Sequence, residues 1–307
     1  MNTSLDPTSR GLLKPKSIRF FIPWFGRWPA WMRFFLASCA ANPTIDWLII
    51  TDCPDRDDLP ANVTLRRITL SDYRALIDAE LGIQCAWSDP YKLCDLGPIL
   101  GCIHAEDIAG YAYWGFGDLD VVYGDLRHFL TDEVLTHDII STHETICAGH
   151  FLLVRNDPQL NHAFERVRGW KKKLAADRHF GFDERHWSNL FIRPTGHPLH
   201  RRLKMAWESP FMGCNGWFQE QFSTSLPGLV WIDGTTNFPN EWIWDHGRLT
   251  TDRSGDRPFL YCHFTHWQSG RWTTSGKAVW HGIAELDQCP PGPLERFKVT
   301  RDGFLPA

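Results

Sequence analysis

Gly115-Phe116-Gly117-Asp118-Leu119-Asp120 is the segment of this 307-residue chain with the clearest chemical meaning. In extended backbone, residues two apart point to the same face, so Asp118 and Asp120 can offer two carboxylates to one cation. Mg²⁺ or Mn²⁺ prefers oxygen ligands and shares its shell readily with phosphate oxygens. A second Asp-x-Asp, Asp55-Arg56-Asp57, reads as solvated loop. Late in the chain, Tyr261-Cys262-His263-Phe264-Thr265-His266-Trp267 supplies two histidines. Extended backbone puts His263 and His266 on opposite faces, a helical turn puts them on one, and either would complete a site with the two acids. Phe182-Asp183-Glu184-Arg185-His186-Trp187 puts two acids at a helix start, where the dipole favours them; they are also candidates for a general base. Lys92 and Asp95, three apart, are either a surface helix pair or a phosphate-reaching lysine with an acid on a sugar or base.

These residues need elements to position them. Ile18 to Pro23, Asp46 to Thr51 and Val63 to Ile68 read as strands, and Trp31 to Ala41 as a helix stopped by Asn42-Pro43. Ser71 is placed as the N-cap of a helix over Tyr73 to Leu81. Tyr91 to Ala105 is helix-like, Tyr111 to Trp114 and Val121 to Tyr123 are strand text, and Phe151 to Arg155 is a further strand. Gln159 to Ala176 reads as one basic helix; Trp242 to Asp245 and Phe259 to Trp267 read as short strands or ordered loops. Strands alternating with helices predict an α/β sandwich with a mainly parallel sheet, in which ligands sit at the carboxyl ends of the strands. Asp52, Asp118 and Asp120 all fall near such ends. Residues 1–16 read as a leader and 17–307 as one domain, with a 17–156 half and an irregular 157–307 half.

Composition excludes several classes. Lys+Arg 32 against Asp+Glu 36 gives a net charge of -4, with 43% hydrophobic residues, so neither disorder nor whole-protein nucleic-acid or membrane electrostatics is expected. No stretch approaches the ~20 apolar residues needed to span a bilayer. Met1 to Arg10 lacks the pattern of a signal peptide, so a cytoplasmic location is expected. Nine scattered cysteines without a CxxC pair predict reduced, mostly buried thiols. There is no HExxH, GxSxG, P-loop or GxGxxG.

The order of these segments resembles GT-A-fold glycosyltransferases that use nucleotide-sugar donors. More closely, IPWFGRWPAWMRFFLASCAANPTIDWLIITD, YKLCDLGPILG, YWGFGDLDVVYGDLRHFL and GHFLLVRN are similar to a bacterial GT-A-like family met among polysaccharide-biosynthesis genes, over roughly Ser17 to Asn156. The resemblance implies that Asp118 and Asp120 hold Mn²⁺ or Mg²⁺ against the donor diphosphate, with Leu119 between them at the nucleotide-sugar. It implies His263 as a third metal ligand, His266 remaining open. Phe21, Pro23, Trp24 and Asp52 then surround the base and ribose, and Lys92 and Asp95 contact the donor. His150 falls where sugar and acceptor meet. The related late motif often carries a diphosphate-binding Lys; HFTHWQSGRW offers Arg271 instead.

The expected activity is metal-dependent transfer from a nucleotide-sugar, UDP-linked by preference, to a hydroxyl of a saccharide acceptor. Asp183, then Glu184, is the candidate base of an inverting reaction. One alternative is a non-catalytic carbohydrate-binding protein of the same fold. Another is a transferase acting on modified nucleic acid, motivated by RVRGWKKK (Arg166 to Lys173), although mild net acidity disfavours a nucleic-acid partner. The 16 tryptophans divide by region. Trp24, Trp31, Trp47 and Trp114 are expected to pack in the α/β half. Trp207, Trp217, Trp231, Trp242, Trp244, Trp267 and Trp272 are expected to build a sugar-stacking groove.

Overall fold

Side chains alternate between the two faces of a strand, and that alternation divides the core of this protein in two. A computed structural model describes residues 17–192, 215–226, 229–272 and 276–307. In β1 (Ile18–Pro23) and β2 (Ile45–Thr51), Ile18, Phe20, Ile22, Ile45, Trp47 and Ile49 enter one hydrophobic layer. Phe21, Leu48 and Ile50 enter the other. Helix α1 (Met32–Ala40) covers the first layer with Met32, Phe35, Leu36 and Cys39. Helix α2 (Leu70–Leu81) covers the second with Tyr73, Ile77 and Leu81. The result is an α/β/α sandwich.

The central sheet adds β3 (Val63–Arg67), β4 (Tyr113–Gly117), β6 (Ile139–Ser141), β7 (Phe151–Arg155) and β8 (Gly216–Phe218), in the order β3-β2-β1-β4-β7-β6-β8. The β3-β2-β1-β4 run is parallel, β7 is antiparallel to both of its neighbours, and β8 is parallel to β6. This is a Rossmann-like arrangement with a mainly parallel sheet. Among the described residues, no helix is long and apolar enough to cross a membrane.

Three expectations of local structure change. The cap of α2 is Thr69, not Ser71: its hydroxyl accepts the Asp72 amide at 3.1 Å from an extended backbone. The segment read as one helix over Tyr91 to Ala105 is a 3₁₀ helix, Pro90–Ile99, followed by a single α turn, Leu100–Ile103. Pro98 interrupts the α pattern. Glycines bring the segment hard against the sheet: a Cβ on Gly97 would lie 2.5 Å from the Phe116 ring, and one on Gly101 2.3 Å from Trp114. The basic stretch Gln159 to Ala176 divides into Pro158–Asn161, Ala163–Arg166 and Trp170–Ala175, broken where Gly169 adopts φ 69.

The later chain builds a second, antiparallel sheet from β9 (Glu241–Asp245), β10 (Arg248–Thr251), β12 (Arg296–Thr300) and β13 (Gly303–Pro306), ordered β10-β9-β12-β13. Its tryptophans do not form the expected groove. Trp231, Trp242, Trp244 and Trp267 are buried, and with Trp280, Phe297 and Phe304 they make a third core that reaches Phe34 of α1. Short strands expose little apolar backbone area of their own, so large rings must supply the buried surface. Trp217 is half-buried against the first layer. Trp207 and the side chain of Trp272 lie outside the described residues.

Candidate functional site

Because β1 and β4 run parallel, Pro23 and Gly117 end at the same edge of the sheet. A cavity of about 250 Å³ opens there, lined by Pro23, Trp24, Phe25, Tyr91, Phe116 and Asp118 among others. Gly26 and Asp52, which follow β1 and β2, are tied together at its margin: the exposed Asp52 accepts the Gly26 amide at 2.7 Å.

The acids follow β4 directly, and the chain then re-enters extended structure as β5 (Val121–Tyr123). Strand β11 (Tyr261–His263) pairs antiparallel with β5 and sets His263 opposite Val121. The Phe264 amide donates to the Asp120 carbonyl at 3.1 Å. This register brings ligand atoms of Asp118, Asp120 and His263 within 4.8 Å of one another. His263 Nε2 lies 3.5 Å from Asp120 Oδ2, which also accepts Gln268 Nε2 at 2.8 Å.

Electrostatics separates the two acids. Burial, with the charges of Asp120, Asp183 and Glu184, pushes the Asp118 carboxyl well above the usual range. Burial also works against ionising Asp120, but His263 and the bonds from His263 and Gln268 hold its carboxyl below the ordinary value. Crowded carboxylates of this kind are relieved by a cation, and two carboxylates with one imidazole suit a divalent one. Asp118, Asp120 and His263 can therefore hold a divalent metal. His266 is not among these ligands. It sits half-buried on the short helical turn Thr265–Gln268, with a buried Nδ1 that lacks a partner, and loss of solvent lowers its ring to about 4.

Asp183 and Glu184 lie on the π-helical turn Phe182–Trp187. Asp183 is 4% exposed. A Cβ added to Gly149, which lines the cavity, would sit 2.6 Å from Asp183 Oδ2, so only glycine lets the acid approach. Burial and the Glu184 charge push the Asp183 carboxyl well up.

Other expected ligand contacts are placed elsewhere. Lys92 and Asp95 are buried, not solvated, and they pair at 2.7 Å. The remaining ammonium donors of Lys92 reach the carbonyls of Lys173 and Arg178, both at 2.7 Å, which leaves none for a phosphate. Asp95 accepts the amides of Phe180 and Phe182 and pairs with His179. Burial opposes its ionisation, yet His179, Lys92 and the two amides bring its carboxyl down to about 2. The pair therefore anchors the segment that carries Asp183. Phe21 and Leu119 are fully buried: Phe21 stacks on His104 at 4.9 Å, and the Leu119 carbonyl accepts Trp31 Nε1. Neither faces the cavity, because each falls on the core side of its strand or turn. Pro23 and Trp24 do line it. His150 is buried with its ring stacked 3.9 Å from that of His263. The exposed Arg271 guanidinium lies 3.6 Å over the Tyr91 ring, at the cavity wall.

Sequence reasoning missed Gln268 and Thr224, whose hydroxyl lies 3.2 Å from His263 Nδ1. Nothing in local spacing marks either residue. The four described cysteines that are buried, Cys39, Cys53, Cys147 and Cys262, match the expected thiols, whereas Cys94 opens onto the cavity. The surrounding protein, with Asp118 and Asp183, pushes its thiol up.

No curated protein matches the chain significantly. Among solved structures, it is similar to the glycosyltransferase GlyE of Streptococcus pneumoniae TIGR4, at 11% identity and a TM-score of 0.25. That likeness covers 50% of this chain, which spans only 39% of the length of GlyE. The sequence model of one family, DUF6625, described as a family of unknown function, matches residues 20–277, and the chain belongs to that family.

Proposed function

We propose that this protein is a divalent-metal-dependent glycosyltransferase that moves a sugar from a nucleotide-sugar, UDP-linked by preference, to a hydroxyl of a saccharide acceptor. The observation that carries the reading is the convergence of Asp118, Asp120 and His263 within 4.8 Å at the carboxyl edge of parallel strands, beside a cavity. Bound there, Mn²⁺ or Mg²⁺ supplies Lewis-acid neutralisation of the departing diphosphate. Trp24 offers a flat face to the base, with Asp52 at the same margin. Arg271, held over Tyr91, is a cation for the diphosphate in place of the related lysine. Asp183 accepts the proton of the acceptor hydroxyl: its raised carboxyl is poised closer to neutral pH, as a general base requires. Glu184, beside it, is the second candidate. Surface-polysaccharide assembly is the setting that fits a saccharide acceptor.

A donor panel assayed for UDP release with and without Mn²⁺ tests the reading. Metal-dependent release from at least one nucleotide-sugar, lost in Asp120→Ala, supports it. Full metal-dependent activity in Asp120→Ala overturns the site, and glycan binding with no nucleotide or metal binding favours the carbohydrate-binding alternative.

A further inference from the structure

A line of buried polar groups stands behind His263, on the side away from the acids. Thr224 Oγ1 lies 3.2 Å from His263 Nδ1 and 3.1 Å from His150 Nε2. Tyr261 Oη lies 2.7 Å from the same His150 nitrogen and 2.6 Å from Thr142 Oγ1. All five side chains are buried. A short parallel bridge between Thr224 and His263, with the His263 amide donating to the Ser223 carbonyl at 2.9 Å, fixes the two backbones against each other.

Counting protons leaves few arrangements. Either hydroxyl of the Thr142–Tyr261 pair can donate, and in the tautomer with His150 Nε2 bare that nitrogen accepts the Tyr261 hydroxyl. The Thr224 hydroxyl has one proton and two nitrogen neighbours. If it donates to His263 Nδ1, the ring proton of neutral His263 sits on Nε2, aimed at Asp120 Oδ2 3.5 Å away. If it turns to share the single Nε2 lone pair of His150 with the Tyr261 hydroxyl in a three-centre bond, its oxygen is free to accept Nδ1–H from His263, and His263 Nε2 presents a lone pair toward the acids. The ring exchanges one N–H for the other, so its proton count does not change. Only the second arrangement leaves a nitrogen able to bind a cation.

We propose that Thr224 is a positioning residue that selects the metal-binding tautomer of His263 through hydroxyl rotation between His263 and His150. The inference rests on the metal site of the proposed function and deepens it. Groups behind a metal-bound histidine typically change metal affinity by about 10–100-fold.

The test is calorimetric Mn²⁺ titration of the full chain and two variants, all confirmed folded by thermal melts. Thr224→Val keeps the shape and removes the hydroxyl, and it is expected to weaken Mn²⁺ roughly 10–100-fold. Thr224→Ser restores the hydroxyl and is expected within about threefold of the parent, less than the loss such groups produce. Nitrogen-15 spectra of the parent saturated with Mg²⁺ are expected to show His263 protonated on Nδ1. Equal Mn²⁺ affinity in parent and Thr224→Val overturns the role of Thr224 while leaving the metal site standing. A loaded His263 protonated on Nε2 overturns it as well. A parent that binds no Mn²⁺ removes the metal reading and the role of Thr224 together.

Discussion

Two buried charge clusters lie one segment apart and obey opposite rules. Around Lys92 and Asp95 every charge has a partner, and the Asp95 carboxyl is held down to about 2. Around Asp118, Asp120, Asp183 and Glu184 acids outnumber cations, and the carboxyls of Asp118 and Asp183 are pushed well up. The same chain thus satisfies one cluster internally and leaves the other in deficit. A satisfied cluster serves the fold; a deficit of positive charge at a cavity serves a ligand, and its strain is offset elsewhere.

The comparison is most easily broken at Lys92. Lys92→Met is expected to cost about 3–5 kcal/mol, because it removes the buried ammonium partner of Asp95 and leaves only His179 and two amides on that carboxylate. Denaturant melts check this, and a loss below about 1 kcal/mol, the scale of an exposed pair, would mean that the pair is not structural. In the other cluster, Asp120→Ala is expected to lower metal-dependent donor cleavage by a factor of roughly 100 or more, read by UDP release, without a comparable loss of stability. Severe unfolding of this variant would erase the contrast.

The pH dependence of stability sharpens the comparison, since the two clusters have opposite signs. Asp95 is depressed in the folded protein, so its contribution is present above the unfolded carboxylate value, about 3.9, and is lost as pH falls toward about 2. Asp118 and Asp183 are raised. Their protonated forms favour the metal-free fold below about pH 4, and that contribution is lost as pH rises through their folded values. Relative to the parent, metal-free Asp183→Asn should gain stability as pH rises above about 4, whereas Asp95→Asn should close its gap only in stronger acid. Thermal melts across pH read both slopes; parallel curves for the two variants would contradict the assignment. The smallest expected effect is that of Trp24, and a buried tryptophan supplies its contrast. Trp24→Ala should weaken nucleotide binding by about 1 kcal/mol with little change in melting, while Trp242→Ala should cost about 3–5 kcal/mol of stability and leave nucleotide binding intact.

Much of the first half was legible because its signals are local. Period-two alternation and β-branched runs mark β1, β2 and β7, and Asp118-Leu119-Asp120 follows its strand in the open. Lys92 and Asp95 were ambiguous, because an i, i+3 pair looks the same in solvent and in a core; only the carbonyls of Lys173 and Arg178, some 80 residues away, decide it. Pro98 and Gly169 were visible, yet the helices they interrupt were read through them. The tryptophans after residue 230 failed for a related reason. An indole suits a core and a sugar-binding face equally, and the packing of Trp231, Trp242 and Trp244 against Phe259 and Phe297 puts them in a core.

The sequence by itself determined the α/β alternation, the carboxylate pair at a strand end and two histidines available to join it, since each depends on residue type and short spacing. Tertiary structure decided which histidine joins, because the β5–β11 register sets His263 beside Asp120 across more than 140 residues of chain while His266 turns into a helix. It also decided which acids stay without a partner. Charge compensation depends on distance and burial, and both are set only when segments far apart in sequence pack together.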